Sequence, residues 1–281
     1  MPFVTDDPNM LDDWLVIGPA TSAPRTTRLL GETVQLWIDP EGTPQCRLGD
    51  RPLAVQSRYG YLWACPSGNP ARSLFDFAEY SEPGRRTIDC GGIGVAVSGL
   101  RVIENFLDMA HFPFVHAGYL GKVPHTEVAQ YQVQVEPATG EIWATDCRFW
   151  QPRASAAHDG TGSEVLYKYR VMQPFSAMLY KSSFREGQLD AIGLFLQPVD
   201  DEHVIAHTML ACFDDDSTDA ELIAFQHTIF GQDKPILENH AFKRMPLEGR
   251  AETPTRGDTS SVTYRRWLRE RGMRFAVRAA A

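Results

Sequence analysis

The stretch ENFLDMAHFPFVH, residues 104–116, sets two histidines, two acids and an asparagine among Phe, Leu, Met and Val. His111 and His116 lie five apart, about 140° around a straight helix, too far to share one ligand comfortably. Pro113 stands between them, and proline kinks a helix by removing a donor and crowding the preceding turn. A bend at Pro113 is therefore expected to bring both imidazoles to one point. Taken alone the spacing is weak, because a hydrogen-bonded core histidine followed by a helix-terminal one satisfies it equally well. Far downstream, Asp233 in FGQDKPILE falls on the stripe 222, 226, 229, 233 of a long helical pattern that also carries Leu222 and Ile229. A carboxylate on that inward stripe needs a cation or a donor, since a buried unpaired charge is too costly. Two histidines and one carboxylate form the facial set that holds non-haem Fe(II) and leaves positions open for oxygen and substrate. Asp108, Glu104 and Glu238 are alternative acids, and Asp233 is also readable as a helix-internal partner of Lys234 or Arg244.

These residues need a frame to bring them together. The chain has 281 residues, 43% hydrophobic and 22% charged, enough for one large domain or two modest ones. Its net charge of −9 argues against nucleic acid or anionic membrane as a partner. No apolar run approaches the roughly 20 residues of a membrane span, and the acidic start MPFVTDDPNM is unlike a secretory signal. Five scattered cysteines without CxxC spacing speak against disulfides or structural zinc, so a cytoplasmic protein with reduced thiols is expected. Residues 11–65 read as short strands with turns (WLVIG, TVQLWID, YGYLWAC), and a Pro/Gly/Ser-rich connector covers 66–86. IGVAV reads as a strand and 101–116 as a helix, and strand-like runs then alternate through 128–213. A long helix follows DDDST with Ser217 or Thr218 as N-cap, and TSSVTYRRWLRERGM reads as a last amphipathic helix. An antiparallel sheet embracing a long helix is an α+β layout.

ENFLDMAHFPFVH resembles the iron-binding helix of the α subunits of Rieske non-haem iron oxygenases, whose pattern N-x2-D-x2-H-x4-H is met by Asn105, Asp108, His111 and His116. FGQDKPILENH resembles the helix that brings that family's carboxylate ligand, which lands on Asp233. The likeness implies a helix-grip (START-like) catalytic domain over 86–281, preceded by a remnant of the Rieske-type β domain over 1–85. It also implies Fe(II) held by His111, His116 and Asp233, O2 as cosubstrate, Asp108 as the electron bridge to a neighbouring cluster, and Asn105 as a tuning residue. One hallmark is missing. A Rieske cluster needs C-x-H and C-x2-H motifs, yet the first histidine in this chain is His111; Cys46 is followed by RLG and Cys65 by PSG.

Electrons must then come from another polypeptide. FGQDKPILENH, TSSVTYRRWLRE and VLYKYRVMQPFSAMLYKSS resemble the bacterial methylxanthine N-demethylases, and the truncation matches their N7-acting branch. That likeness implies NADH and a [2Fe–2S] cluster supplied by a Rieske-containing reductase. It further implies a hetero-oligomer, with room for an additional structural subunit, and conversion of 7-methylxanthine to xanthine and formaldehyde. Candidate pocket residues are Phe106, Phe175, Met178, Leu194, Phe195 and Met209, with Gln197 and Gln226 as purine contacts. Rival readings are an O-demethylase or hydroxylase of another aromatic, a non-catalytic START-like binding subunit, and zinc hydrolysis, for which no general base stands out beside the triad.

Overall fold

A computed structural model describes residues 3–153, 162–183, 185, 187–248 and 251–279. Short β-rich runs separated by Gly turns close the first sheet, six antiparallel strands in the order β1-β6-β5-β4-β3-β2. These are β1 (Leu15–Pro19), β2 (Arg25–Leu29), β3 (Glu32–Ile38), β4 (Pro44–Leu48), β5 (Arg51–Arg58) and β6 (Tyr61–Cys65), entered from a short turn of helix, α1 (Pro8–Leu11). The second sheet has seven antiparallel strands in the order β7-β13-β12-β11-β10-β9-β8. They are β7 (Arg86–Val95), β8 (Gln132–Val135), β9 (Ile142–Gln151), β10 (Ser163–Gln173), β11 (Ser176–Ser182), β12 (Leu189–Pro198) and β13 (Val204–Cys212). Helices α2 (Gly99–Leu107), α3 (Phe112–Val115), α4 (Asp219–Glu238) and α5 (Thr259–Glu270) complete it. The protein is α+β, an antiparallel sheet gripping helices in front of a smaller β layer.

Strand alternation gives the large sheet two different faces. The front face looks at the helices. The back face carries Met178, Phe195 and Met209 into a second core with Trp63, Phe75 and Phe77 from the first sheet and the connector. Phe195 is the hub: its ring lies 5.2 Å from Trp63, 5.5 Å from Phe75 and 5.8 Å from Tyr61, centroid to centroid. Burying one such ring contributes roughly 2 kcal/mol by area alone. The first sheet thus plugs the back of the second.

Polar groups pin the same interface. Gln197 donates to Thr27 Oγ1 at 2.7 Å and to Arg28 O at 2.8 Å, and its Oε1 meets His207 Nε2 at 3.4 Å. His207 is 4% exposed, and burial pushes its imidazole down to about 4, with Arg25 adding to the shift and Asp89 opposing it. The folded protein keeps this ring neutral where the unfolded chain, titrating near 6.5, already charges it. Stability contributed here is intact above pH 6.5 and drains away as pH falls towards 4, by about 3 kcal/mol in the limit. His207→Asn should flatten that part of the curve of unfolding free energy against pH, measured by denaturant titration at pH 7, 6, 5 and 4.5.

Helix α4 starts on a capping box in which Thr218 and Glu221 satisfy each other's backbone N–H groups. Its side chains then fasten it to β7, the outer strand of the large sheet. His227 Nε2 donates to Cys90 O at 2.6 Å, Lys234 Nζ to Gly94 O at 2.7 Å, and Glu238 Oε1 accepts from Ala96 N at 2.9 Å.

Candidate metal centre

Three elements converge in front of the sheet. Ser98 caps α2, which runs only to Leu107. There the expectation of a continuous helix bent at Pro113 needs correcting, because the break falls at Asp108. Asp108 leaves helical geometry (φ −87°, ψ 131°), and its Oδ1 accepts from Ala110 N at 2.7 Å, a turn that the side chain builds for itself. Pro113 sits instead in the first turn of α3, where its missing N–H costs nothing. Ser260 on α5 donates to the freed Leu107 carbonyl at 3.0 Å.

The turn sets His111 Nε2 and His116 Nε2 3.1 Å apart. Asp233 Oδ1 approaches His116 Nε2 at 3.1 Å and His111 Nε2 at 3.4 Å. Among the described residues this is the one group of three or more His, Cys, Asp or Glu side chains placed to share an ion. The helix-internal partners considered for Asp233 are engaged elsewhere: Lys234 pairs with Glu238, and Arg244 with Asp201 and Glu202. Pro235 cannot donate the hydrogen bond that would close on the Gly231 carbonyl, so the helical ladder is open at the turn that carries Gln232 and Asp233.

Each imidazole is also held from behind. His111 Nδ1 donates to Asp108 Oδ2 at 2.9 Å, and His116 Nδ1 to Gln232 Oε1 at 2.9 Å. These acceptors fix the tautomer that leaves both Nε2 lone pairs facing Asp233, as imidazole ligands of metals require. Asn105 Nδ2 donates to Asp233 Oδ1 at 3.4 Å. Gln232 was missed in the sequence, where nothing separates it from any other glutamine on the helix. Gln232→Leu should weaken iron binding about 10–100-fold, the usual cost of losing an outer partner, while the fold survives; titration of the apoprotein with Fe(II) under anaerobic conditions measures it.

The electrostatics point the same way. The same Nε2 takes either a metal or a proton: burial opposes charge on His111, but with Nε2 protonated the hydrogen bonds to Asp108 and Asp233 outweigh it and raise the imidazole to about 9. Burial likewise favours a neutral Asp233, yet hydrogen bonds from His111 and His116 hold it below the ordinary carboxylate range. The cluster therefore draws positive charge to itself. Two oriented imidazoles and one ionised carboxylate fit a divalent cation of the Fe(II) class.

A largely apolar cavity opens beside the triad, between α2, α4 and the front of the sheet. Of the residues expected in the pocket, Phe106 and Gln226 line it, with Tyr167, Tyr169, Leu179, Ile192 and Phe225. The other six lie elsewhere. Met178, Phe195 and Met209 point to the back core because they alternate with the front-facing neighbours Leu179 and Leu210. Gln197 holds the two sheets together, Phe175 packs against Gly99 and Phe275, and Leu194 is front-face core away from the cavity. Hydrophobicity marked these positions as buried, and only strand phase distinguishes one face from the other.

A separate polar groove reaches Asp108 and His111 from the opposite side of α2, bordered by Ile236 of α4 and by Val262 and Arg266 of α5. Ile236 and Val262 are 50% and 44% exposed. No helix among the described residues is long and apolar enough to cross a membrane.

Residues 95–273 match the family model of the vanillate O-demethylase oxygenase C-terminal domain. The chain is 47% identical over 276 residues, 95% of its length and 96% of the relative's, to the probable methylxanthine N7-demethylase NdmC of Pseudomonas sp. (strain TJI-51). Its fold superimposes with a TM-score of 0.77 on Pseudomonas putida CBB5 NdmA with caffeine, covering 95% of this chain and 92% of that one at 19% identity. Dicamba monooxygenase bound to dicamba gives 0.74 at 15% identity, over 93% and 97% of the two chains. With the cluster motifs absent from its first sheet and the triad intact on the helices in front of its second, the chain belongs to the Rieske-type non-haem iron oxygenases.

Proposed function

We propose that this protein is the oxygenase component of a methylxanthine N-demethylase that removes the N7-methyl group of 7-methylxanthine, with Fe(II) held by His111, His116 and Asp233. The observation that carries this reading is the meeting of three donor atoms, from the two ends of α3 and from α4, beside an aromatic-lined cavity, in a chain nearly half identical to a probable N7-demethylase. Bound iron would supply the activation of O2 for hydroxylation of the N-methyl carbon. The overall balance is one N–CH3 group, one O2, two electrons and two protons giving N–H, formaldehyde and water; the N-hydroxymethyl stage collapses as its C–N bond breaks.

The chain's own residues do the rest. Phe106, Tyr167 and Phe225 offer faces for a planar ring, and apolar walls keep water from the reacting carbon. Asp108 and Gln232 keep the imidazoles aimed, and Asn105 holds the carboxylate. Because the first sheet has no cluster ligands, the electrons, ultimately from NADH, arrive from a Rieske-containing reductase in a hetero-oligomer that has room for a further structural subunit. The groove that exposes Ile236 and Val262 beside Asp108 is where that donor docks, and the net charge of −9 favours a basic partner face. On this reading residues 1–85 are the Rieske domain's remnant, kept because they plug the back of the sheet, and 86–281 form the catalytic unit in the cytoplasm.

Turnover of 7-methylxanthine with NADH, iron and a Rieske-bearing reductase, read as formaldehyde released, tests the proposal. Absence of formaldehyde with an iron-loaded protein and a competent donor overturns it. One iron per chain in the purified protein separates it from the binding-subunit reading, and iron rather than zinc separates it from a hydrolase.

A further inference from the structure

The cavity beside the triad carries a cation that the iron chemistry does not use. Lys181 lies on β11 at the front-facing phase, two residues beyond Leu179, and lines the cavity with its chain 6% exposed. Its ammonium stands 5.9 Å from the Phe225 ring centroid on α4, across the cavity from the sheet. Directly neighbouring strands present Tyr167 and Asp190 opposite it in register. Burial drags its pKa down, with Asp190 and Cys212 opposing. A second polar group points the same way. Tyr169 is 1% exposed and lines the same cavity, and its hydroxyl has no hydrogen-bond partner among the described residues. A buried hydroxyl left unsatisfied costs free energy, which a ligand atom can recover.

Both groups are donors, and Gln226 adds an amide from the α4 side of the cavity. An apolar slot lined by a lysine and a buried phenol hydroxyl suits a planar ring bearing electron-rich oxygens. From this geometry we infer that Lys181 and Tyr169 are specificity-determining residues that bind the oxygen-bearing edge of the substrate ring, Lys181 donating to an oxygen on which negative charge gathers. The inference rests on the demethylase reading for the identity of that ring. In a dioxopurine such an oxygen flanks a ring N–H, a weakly acidic imide-like unit. A lysine there favours rings that keep this N–H over those methylated at every nitrogen, which gather less charge. The residue would thus bias the enzyme towards substrates already stripped of their other methyl groups, and therefore towards the product of earlier N-demethylations of the same ring.

Iron-loaded wild-type protein, K181M, K181R and Y169F are titrated with 7-methylxanthine, 1,3,7-trimethylxanthine and benzoate, with binding read by equilibrium dialysis and iron content by metal analysis. K181M should bind 7-methylxanthine about tenfold to hundredfold more weakly, the range of a charge-assisted hydrogen bond. Its preference over the trimethylated ring should narrow, iron should be unchanged, and K181R should retain part of the affinity. Y169F, which loses only a hydroxyl and disturbs no packing, should lose several-fold. Dissociation constants for 7-methylxanthine within twofold of wild type in both K181M and Y169F would overturn the inference. A wild-type protein that binds benzoate but no dioxopurine, with the benzoate lost in K181M, refutes the demethylase reading and upholds the role of Lys181. Failure of wild type to bind any of the three ligands refutes both.

Discussion

Asp233→Ala should yield a folded protein that carries almost no iron and makes no formaldehyde. Losing an outer partner of a ligand costs about 10–100-fold in metal affinity, and losing one of three ligands should cost more than that. The fold has little to lose, because the chain segments around Asp233 are anchored by the α4 capping box and by contacts to β7 rather than by the carboxylate. His111→Ala should behave alike. The measurement is iron per chain after anaerobic reconstitution, alongside circular dichroism to show that helices and sheet persist. Stoichiometric iron in the Asp233→Ala protein would reject the ligand assignment and with it the oxygenase chemistry.

For Asp108→Asn the expected outcome is different: iron stays, and turnover driven by the external reductase falls about 10–100-fold or further. Asp108 has two jobs in the structure. One oxygen closes the turn on Ala110 N, and the other accepts from His111 Nδ1. An asparagine has a single carbonyl oxygen, so it can keep one contact only, and it brings no negative charge to the groove lined by Ile236 and Val262. Hydrogen peroxide supplies both the oxygen atom and the two electrons, so iron-loaded Asp108→Asn mixed with peroxide and substrate should still release some formaldehyde, whereas steady-state turnover through the reductase collapses. Wild-type steady-state rates in Asp108→Asn would remove Asp108 from the electron route.

The candidate ligands were legible in the sequence through a pattern: two histidines five apart are weak evidence alone, and the N-x2-D-x2-H-x4-H run together with an acid on the inward stripe of a long helix singles them out. The bend that unites them was legible only in part. Proline is the strongest local sign of a broken helix, yet at Pro113 it merely opens α3. The break belongs to Asp108, whose side chain competes for the backbone, and that competition is decided by ψ, which composition does not show. The pocket was hardest to read. Met178 and Leu179 are equally apolar neighbours, and one faces Trp63 across the sheet sandwich while the other faces the cavity. The second layer behind β11–β13 makes both faces dry, which erases the polar–apolar alternation that would have told them apart. Lys181 escaped notice for the same reason, since a lone lysine in a strand reads as solvent-facing.

The fastening of α4 to β7 ties two liabilities into one. An outer strand with free amides and carbonyls is a template for a passing chain, and here His227, Lys234 and Glu238 occupy those groups. The helix that shields the strand is the one that delivers Asp233. Any opening that lifts α4 would therefore release the metal and bare a sticky edge in a single motion, so ageing preparations should lose iron and turn turbid together, and added Fe(II) should slow both.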